Sequence, residues 1–150
     1  RPRRFAEDLY RFLRDLPKGP TYAVELRDRE LLTADLVAAL HHGGATAGLA
    51  GHPRLPGLGE QMALFGDDPA HPLVIRWLLR PNRGYEEARD LYRPFSALSE
   101  PDTGSRSAIV ALVQRALGQG REAMVIVNNK AEGSSPLSLG ALAAALVDGA

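Results

Sequence analysis

The sequence predicts an α/β fold: four parallel βα units forming half of a TIM-like (β/α)8 barrel. Three observations carry this. Short β-prone runs alternate with stretches of helical period along the chain. Charged residues, Glu25, Arg27 and Arg76, sit within or at the ends of otherwise apolar strand runs. The last apolar run passes directly into a polar segment, Asn128 to Pro136, that opens a helix.

The elements follow in order. Phe5, Leu9, Phe12, Leu13 and Leu16 share one helical face, and Pro17-Lys18-Gly19-Pro20 ends that helix. Thr21 to Leu26 reads as a strand. Thr33 suits the N-cap of a helix using Leu36, Val37 and Leu40, stopped by Gly43-Gly44. Ala45 to Ala50 is a second strand, built of small residues. Gly51 to Pro72 is rich in glycine and proline and reads as a long loop, a length that compact domains reserve for function or disorder. Leu73 to Leu78 is a third strand and Tyr85 to Tyr92 a short helix stopped before Pro94. Asp102 or Thr103 caps a helix through Ile109, Val110, Leu112, Val113, Ala116 and Leu117, closed by Gly118 and Gly120. Ala123 to Val127 is the fourth strand. Ser135-Pro136 supplies an N-cap and first position for a final helix through Leu139, Leu142 and Leu146.

Strands alternating with helices imply a parallel sheet with right-handed crossovers. Helices on both faces would make it flavodoxin-like, and helices on one face would make it half a barrel. Strand alternation sends Tyr22, Val24 and Leu26 one way and Ala23, Glu25 and Arg27 the other. Arg76 lies mid-strand between apolar neighbours. Charge on a strand buried under helices is costly unless paired. A barrel interior near its C-terminal mouth accommodates it.

Composition narrows the function classes. The chain has 150 residues, 24% charged and 45% hydrophobic, with 18 basic and 18 acidic side chains. Zero net charge disfavours a nucleic-acid binder that depends on bulk phosphate attraction. With no cysteine, disulfides, thiolate metal sites and cysteine nucleophiles are excluded. No apolar run approaches the roughly 18 residues of a membrane helix, and no signal peptide is visible, so a cytoplasmic location is expected. The four histidines show no zinc-site spacing. The chain also lacks a GxGxxG, a Walker A and a GxSxG motif.

The expected site lies at the strand C-terminal ends. Glu25 is a general base or metal ligand there, or else the anchor of a structural ion pair with Arg27. Arg27 and Arg76 are anion clamps. Arg76 requires a counter-charge, from Glu25 or from a bound phosphate or carboxylate. Arg54 stands just beyond the second strand. His52, beside it, reads more simply as a solvated turn residue. Asn128 and Asn129 would orient substrate, Glu132 would act as a second catalytic carboxylate, and Ser134 lies in the turn where a helix N-terminus could meet an anion. The plainer alternative is that Asn128 and Asn129 tie down backbone and Ser135 only caps.

The chain resembles the YecE-like family, also called domain-of-unknown-function family 72 (DUF72). The resemblance rests on Leu16-Pro17 with Tyr22-Ala23-Val24-Glu25-Leu26-Arg27-Asp28, and on Arg54-Leu55-Pro56 with Gly59-Glu60-Gln61. It continues through Val74-Ile75-Arg76-Trp77-Leu78-Leu79-Arg80-Pro81-Asn82-Arg83 with Tyr85-Glu86-Glu87-Ala88, and through Val127-Asn128-Asn129-Lys130-Ala131-Glu132-Gly133-Ser134-Ser135-Pro136-Leu137. The resemblance implies a complete (β/α)8 barrel of about twice this length. Residues 1–150 would then be one partial domain, strands five to eight, with the N-terminal half absent. The family's glycine-rich opening strand and its Gln-Leu-Pro-Pro stretch do not appear, and Ala50-Gly51-His52-Pro53 departs from its pattern. The family brings fold rather than reaction.

Three functions are therefore expected to compete. One is an enzyme acting on an anionic small molecule, in which a divalent metal would need ligands from the missing half. The second is a binding module for nucleic acid or a nucleotide, using Arg54, Arg76, Arg80 and Arg83. The third is a structural half that pairs with an N-terminal half-barrel or with itself.

Overall fold

The computed structural model describes residues 1–149. Six α-helices and four strands follow one another: α1 (Pro2–Arg14), β1 (Tyr22–Val24), α2 (Ala34–Gly43), β2 (Ala45–Gly51), α3 (Leu58–Phe65), β3 (Leu73–Trp77), α4 (Tyr85–Tyr92), α5 (Thr103–Gly118), β4 (Ala123–Val127) and α6 (Ser135–Asp148). All strand pairs are parallel and the order across the sheet is β1-β2-β3-β4. Sequential order with right-handed crossovers carries α2, α3 and α5 to the same face.

The packing agrees. Leu49, Leu73, Ile75, Trp77 and Val127 share one core with Leu58 and Met62 of α3, Ile109, Val113 and Ala116 of α5, and Leu142 of α6. Tyr22, Val24, Leu26 and Ala45 join a second cluster with Leu13, Leu36 and Leu40 on the same side. The opposite face carries Ala23, Thr46, Gly48, Val74, Arg76, Met124 and Ile126, with Gly48 in register with Val74 and Ala50 with Arg76. Met124 and Ile126 stand 54% and 44% exposed there. A smaller cluster of Ala50, Leu78, Leu79, Ala88 and Tyr92 packs at the C-terminal end of the sheet.

Most element ends are those the local chemistry dictates. Thr33 accepts the Leu36 N–H and Asp102 accepts the Ser105 N–H, so both cap their helices. Gly44 ends α2 in the left-handed region at φ 69°. Three expectations need correction, and one short element adds to them. The stretch 51–72 is not a bare loop, because it contains α3. Leu58, Gln61, Met62 and Phe65 keep helical period within the Gly/Pro-rich surroundings, and the Glu60 carboxylate accepts the Gly57 N–H at 3.3 Å. β1 is shorter than Thr21 to Leu26, because its ladder to β2 stops at Val24. A short 3-10 helix, Arg29–Leu31, follows Asp28. Finally, Ser134 rather than Ser135 is the N-cap residue of α6; the Ser135 hydroxyl instead donates to the Val127 carbonyl at 2.8 Å.

Gln61 explains how the sheet survives the early end of β1. Its side chain is buried, accepting the Ala50 N–H at 3.0 Å and donating to the Ala50 carbonyl at 2.9 Å. The amide thus stands in for a neighbouring strand where β1 has left the ladder.

Candidate functional site

The strand C-terminal ends bring Glu25, Arg27 and Arg76 together. Glu25 follows β1 and sits against the backbone of Gly48 on β2; a Cβ on that glycine would lie 3.4 Å from the Glu25 Cβ. Arg27 Nε donates to Glu25 Oε1 at 3.0 Å, and Arg76 Nη1 donates to Glu25 Oε2 at 3.0 Å. One carboxylate is therefore shared by two guanidiniums, one from the end of β1 and one from mid-β3. The carboxylate is largely buried, 15% exposed, whereas the Arg27 and Arg76 side chains keep 50% and 40% of their surface. Both arginines retain N–H groups beyond those given to Glu25, because a guanidinium offers five.

His52 and Arg54 border this group. Arg27 and Arg54 line one open cleft of about 770 Å3 with Asp28, Arg29 and Glu30. His52 Nδ1 accepts the backbone N–H of Arg54 at 3.2 Å. Partial burial lowers the His52 pKa from its ordinary value, and the charges of Arg27 and Arg54 lower it further against an opposing pull from Glu25. Sequence reasoning left His52 out of the site. The signal available was its position one residue past a strand end, where polar groups collect in barrels.

The segment after β4 is organised differently. Asn128 Oδ1 accepts the Lys130 N–H at 2.9 Å, and Asn129 Oδ1 accepts the Ser135 N–H at 2.7 Å. Both amide oxygens thus hold backbone, and Asn129 serves the first turn of α6. Ser134 is buried in the same turn. Glu132 is completely buried, and its Oε2 accepts the Asp102 N–H at 2.7 Å and a hydrogen bond from Arg106 Nη2. Its partners belong to the start of α5, and none is Glu25, Arg27, Arg54 or Arg76. Glu132 Oε1 is buried without a partner, as are Trp77 Nε1, Arg106 Nε and Ser138 Oγ. Gly133 has φ 125°, and a Cβ there would lie 2.4 Å from the Ala97 carbonyl oxygen. Lys130 Nζ lies 4.4 Å from the centre of the Tyr85 ring.

The remaining rim arginines are committed. Arg83 grips the Glu100 carboxylate through Nε at 2.8 Å and Nη2 at 3.0 Å, and Arg80 Nη1 donates to the Glu100 and Pro101 carbonyls. The Tyr92 hydroxyl donates to the same carboxylate at 3.0 Å. Arg83 and Tyr92 hold the Glu100 pKa below the usual range, while burial and Glu100 push Tyr92 up to about 12. At the opposite end of the sheet a cleft of about 350 Å3 includes Asp67, Asp68, His71 and Arg121, whose side chains pair among themselves and with Arg115.

Among the described residues, no group of three or more His, Asp or Glu side chains is gathered as a metal ion would require. Nor is any helix among them long and apolar enough to cross a membrane.

Residues 1–149 match the family model described as "Protein of unknown function DUF72". No curated protein and no solved structure matches the chain. With the match covering all but the last residue, the chain belongs to the DUF72 family.

Proposed function

We propose that the strand C-terminal ends bind, and in the assembled protein transform, an anionic small molecule bearing phosphate or carboxylate. The single observation that carries this is the sharing of Glu25 by Arg27 and Arg76. Two guanidiniums on one carboxylate leave a net positive charge with spare donors, a combination that suits an incoming oxyanion. Glu25 is the carboxylate beside those donors and would be the base in a transformation once substrate draws the arginines from it. Arg54 extends the positive edge. Asn128, Asn129 and Ser134 shape the adjoining loop, and Glu132 holds that loop to α5.

The finer fold reading is part of the same proposal. Sequential strand order, helices on one face and exposed Met124 and Ile126 on the other support the C-terminal half of a (β/α)8 barrel. The open face is then a barrel interior and the Glu25 group its mouth. Four further strands, from an N-terminal half-barrel or from a second copy of the chain, would close it. Nucleic-acid binding is the weaker reading, because Arg80 and Arg83 are engaged by Glu100 and the neighbouring backbone, which breaks the basic rim it needs.

The test is a titration of inorganic phosphate, a sugar phosphate and a dicarboxylate against the wild type and Arg76→Ala, followed by backbone NMR. Losing a charged donor to an anion should weaken binding about ten- to a hundredfold. Equal affinities for the two proteins would remove the assignment.

A further inference from the structure

We infer that His52 is a further ligand-reading residue of the strand-end site, where it presents its Nε2–H as a neutral hydrogen-bond donor to an oxygen of the bound anion. The backbone sets the tautomer. A backbone N–H can only donate, so the Arg54 N–H at 3.2 Å from His52 Nδ1 requires that nitrogen to be the acceptor. In a neutral ring the proton then resides on Nε2. Protonating Nδ1 as well would set two donors against each other and break the turn that aims the ring. The backbone thus selects both the tautomer and the neutral state.

The surroundings act in the same direction. The charges the ring feels are Arg27 and Glu25 from the end of β1 and Arg54 from its own loop. Partial burial acts first, and two positive charges against one negative add to it, so the imidazolium is disfavoured relative to a free histidine. Its immediate neighbour constrains the chain as well. Gly51 packs on Trp77, where a Cβ would come within 3.2 Å of the indole Cδ1. Gly51 also gives its carbonyl to the N–H groups of Leu78 and Leu79, both at 3.1 Å. His52 therefore leaves the sheet from a fixed point beside the arginines.

This deepens the proposed anion site and rests on it. Arg27 follows β1, His52 follows β2 and Arg76 lies in β3. Three donors contributed by three neighbouring strands suit a tetrahedral oxyanion, with three peripheral oxygens, better than a carboxylate with two. The ligand class is therefore a phosphate ester. A neutral donor also binds the fully ionised phosphate without taking up a proton.

The experiment has two independent readouts on the full chain. The first is the ring 15N spectrum at neutral pH, where His52 Nε2 should resonate as protonated and Nδ1 as unprotonated. The reverse tautomer, or an imidazolium, overturns the inference whatever the binding data say. The second is inorganic phosphate binding by wild type, His52→Ala and His52→Gln, with backbone spectra to confirm that each is folded. His52→Ala should bind about tenfold more weakly, the worth of a hydrogen bond to a charged group, and His52→Gln, which keeps a donor at that reach, should recover most of the loss. If the wild type binds phosphate and His52→Ala binds it equally, the inference fails while the anion site stands. Absence of phosphate binding by the wild type overturns both.

Discussion

Replacing Glu132 by alanine should destabilise the chain more than any surface change near the site. The carboxylate is fully buried, and its Oε2 accepts from both the Asp102 N–H and Arg106 Nη2. Asp102 in turn caps α5 through the Ser105 N–H and accepts the Ser105 hydroxyl at 2.6 Å. Truncation leaves a backbone N–H without its acceptor and a guanidinium, only 18% exposed, without its counter-charge. Breaking a buried ion pair costs about 3–5 kcal/mol, and the unpaired amide lies within that range rather than beyond it, since Arg106 keeps some access to water. For a chain of this size the loss corresponds to about 6–20 °C in Tm. Glu132→Gln keeps an acceptor for the Asp102 N–H and should lose only about 1–3 kcal/mol. Urea unfolding followed by far-UV circular dichroism measures both, provided the m-value is unchanged. A Glu132→Ala chain within about 0.5 kcal/mol of wild type, below the usual cost of a lost buried partner, would refute the reasoning.

Three further outcomes follow from the same structure. Gln61→Leu should cost about 2–4 kcal/mol, because it leaves the Ala50 N–H and carbonyl and the Pro56 carbonyl without the amide that serves them; hydrogen exchange at Ala50 should accelerate in step. Gly133→Ala should cost about 2–4 kcal/mol in chemical unfolding, since it adds left-handed strain to a clash with the Ala97 carbonyl; a fully stable variant would contradict the close approach. Tyr92 should ionise near 12 in an absorbance titration, well after an ordinary tyrosine near 10, and Tyr92→Phe should abolish that late step. The sign is that of a raised pKa: its stability contribution is fully present below about 10 and is lost as pH climbs through about 12.

Much of this fold was legible because its signals are local. Thr33, Asp102 and Gly44 mark helix ends by their own chemistry, and the alternation of Tyr22, Val24 and Leu26 against Glu25 and Arg27 divided the two faces of the sheet correctly. α3 was hidden because its eight residues lie among glycines and prolines that dominate composition, and its burial depends on packing against β2 and α5. The end of β1 at Val24 was hidden for a related reason. It depends on Gln61, eleven residues beyond the Ala50 backbone that it completes. At the site, the convergence of Glu25 and Arg76 across fifty-one residues was accessible from charge placement alone. The engagement of Glu132 by α5 was not, because Arg106 lies on a helix that reads from sequence only as an amphipathic repeat. The His52 ring orientation was hidden as well, since it turns on a backbone N–H rather than on a motif.

The measurement that bears most directly on the strand-end site is the phosphate affinity of Arg76→Ala and Glu25→Gln side by side. If Arg27 and Arg76 form an oxyanion site held open by Glu25, the two variants must move in opposite directions. Arg76→Ala loses a donor and weakens binding about ten- to a hundredfold, while Glu25→Gln removes the competing negative charge and tightens it. Unchanged affinity in both variants, as for an ion pair that only braces the sheet, would contradict the account.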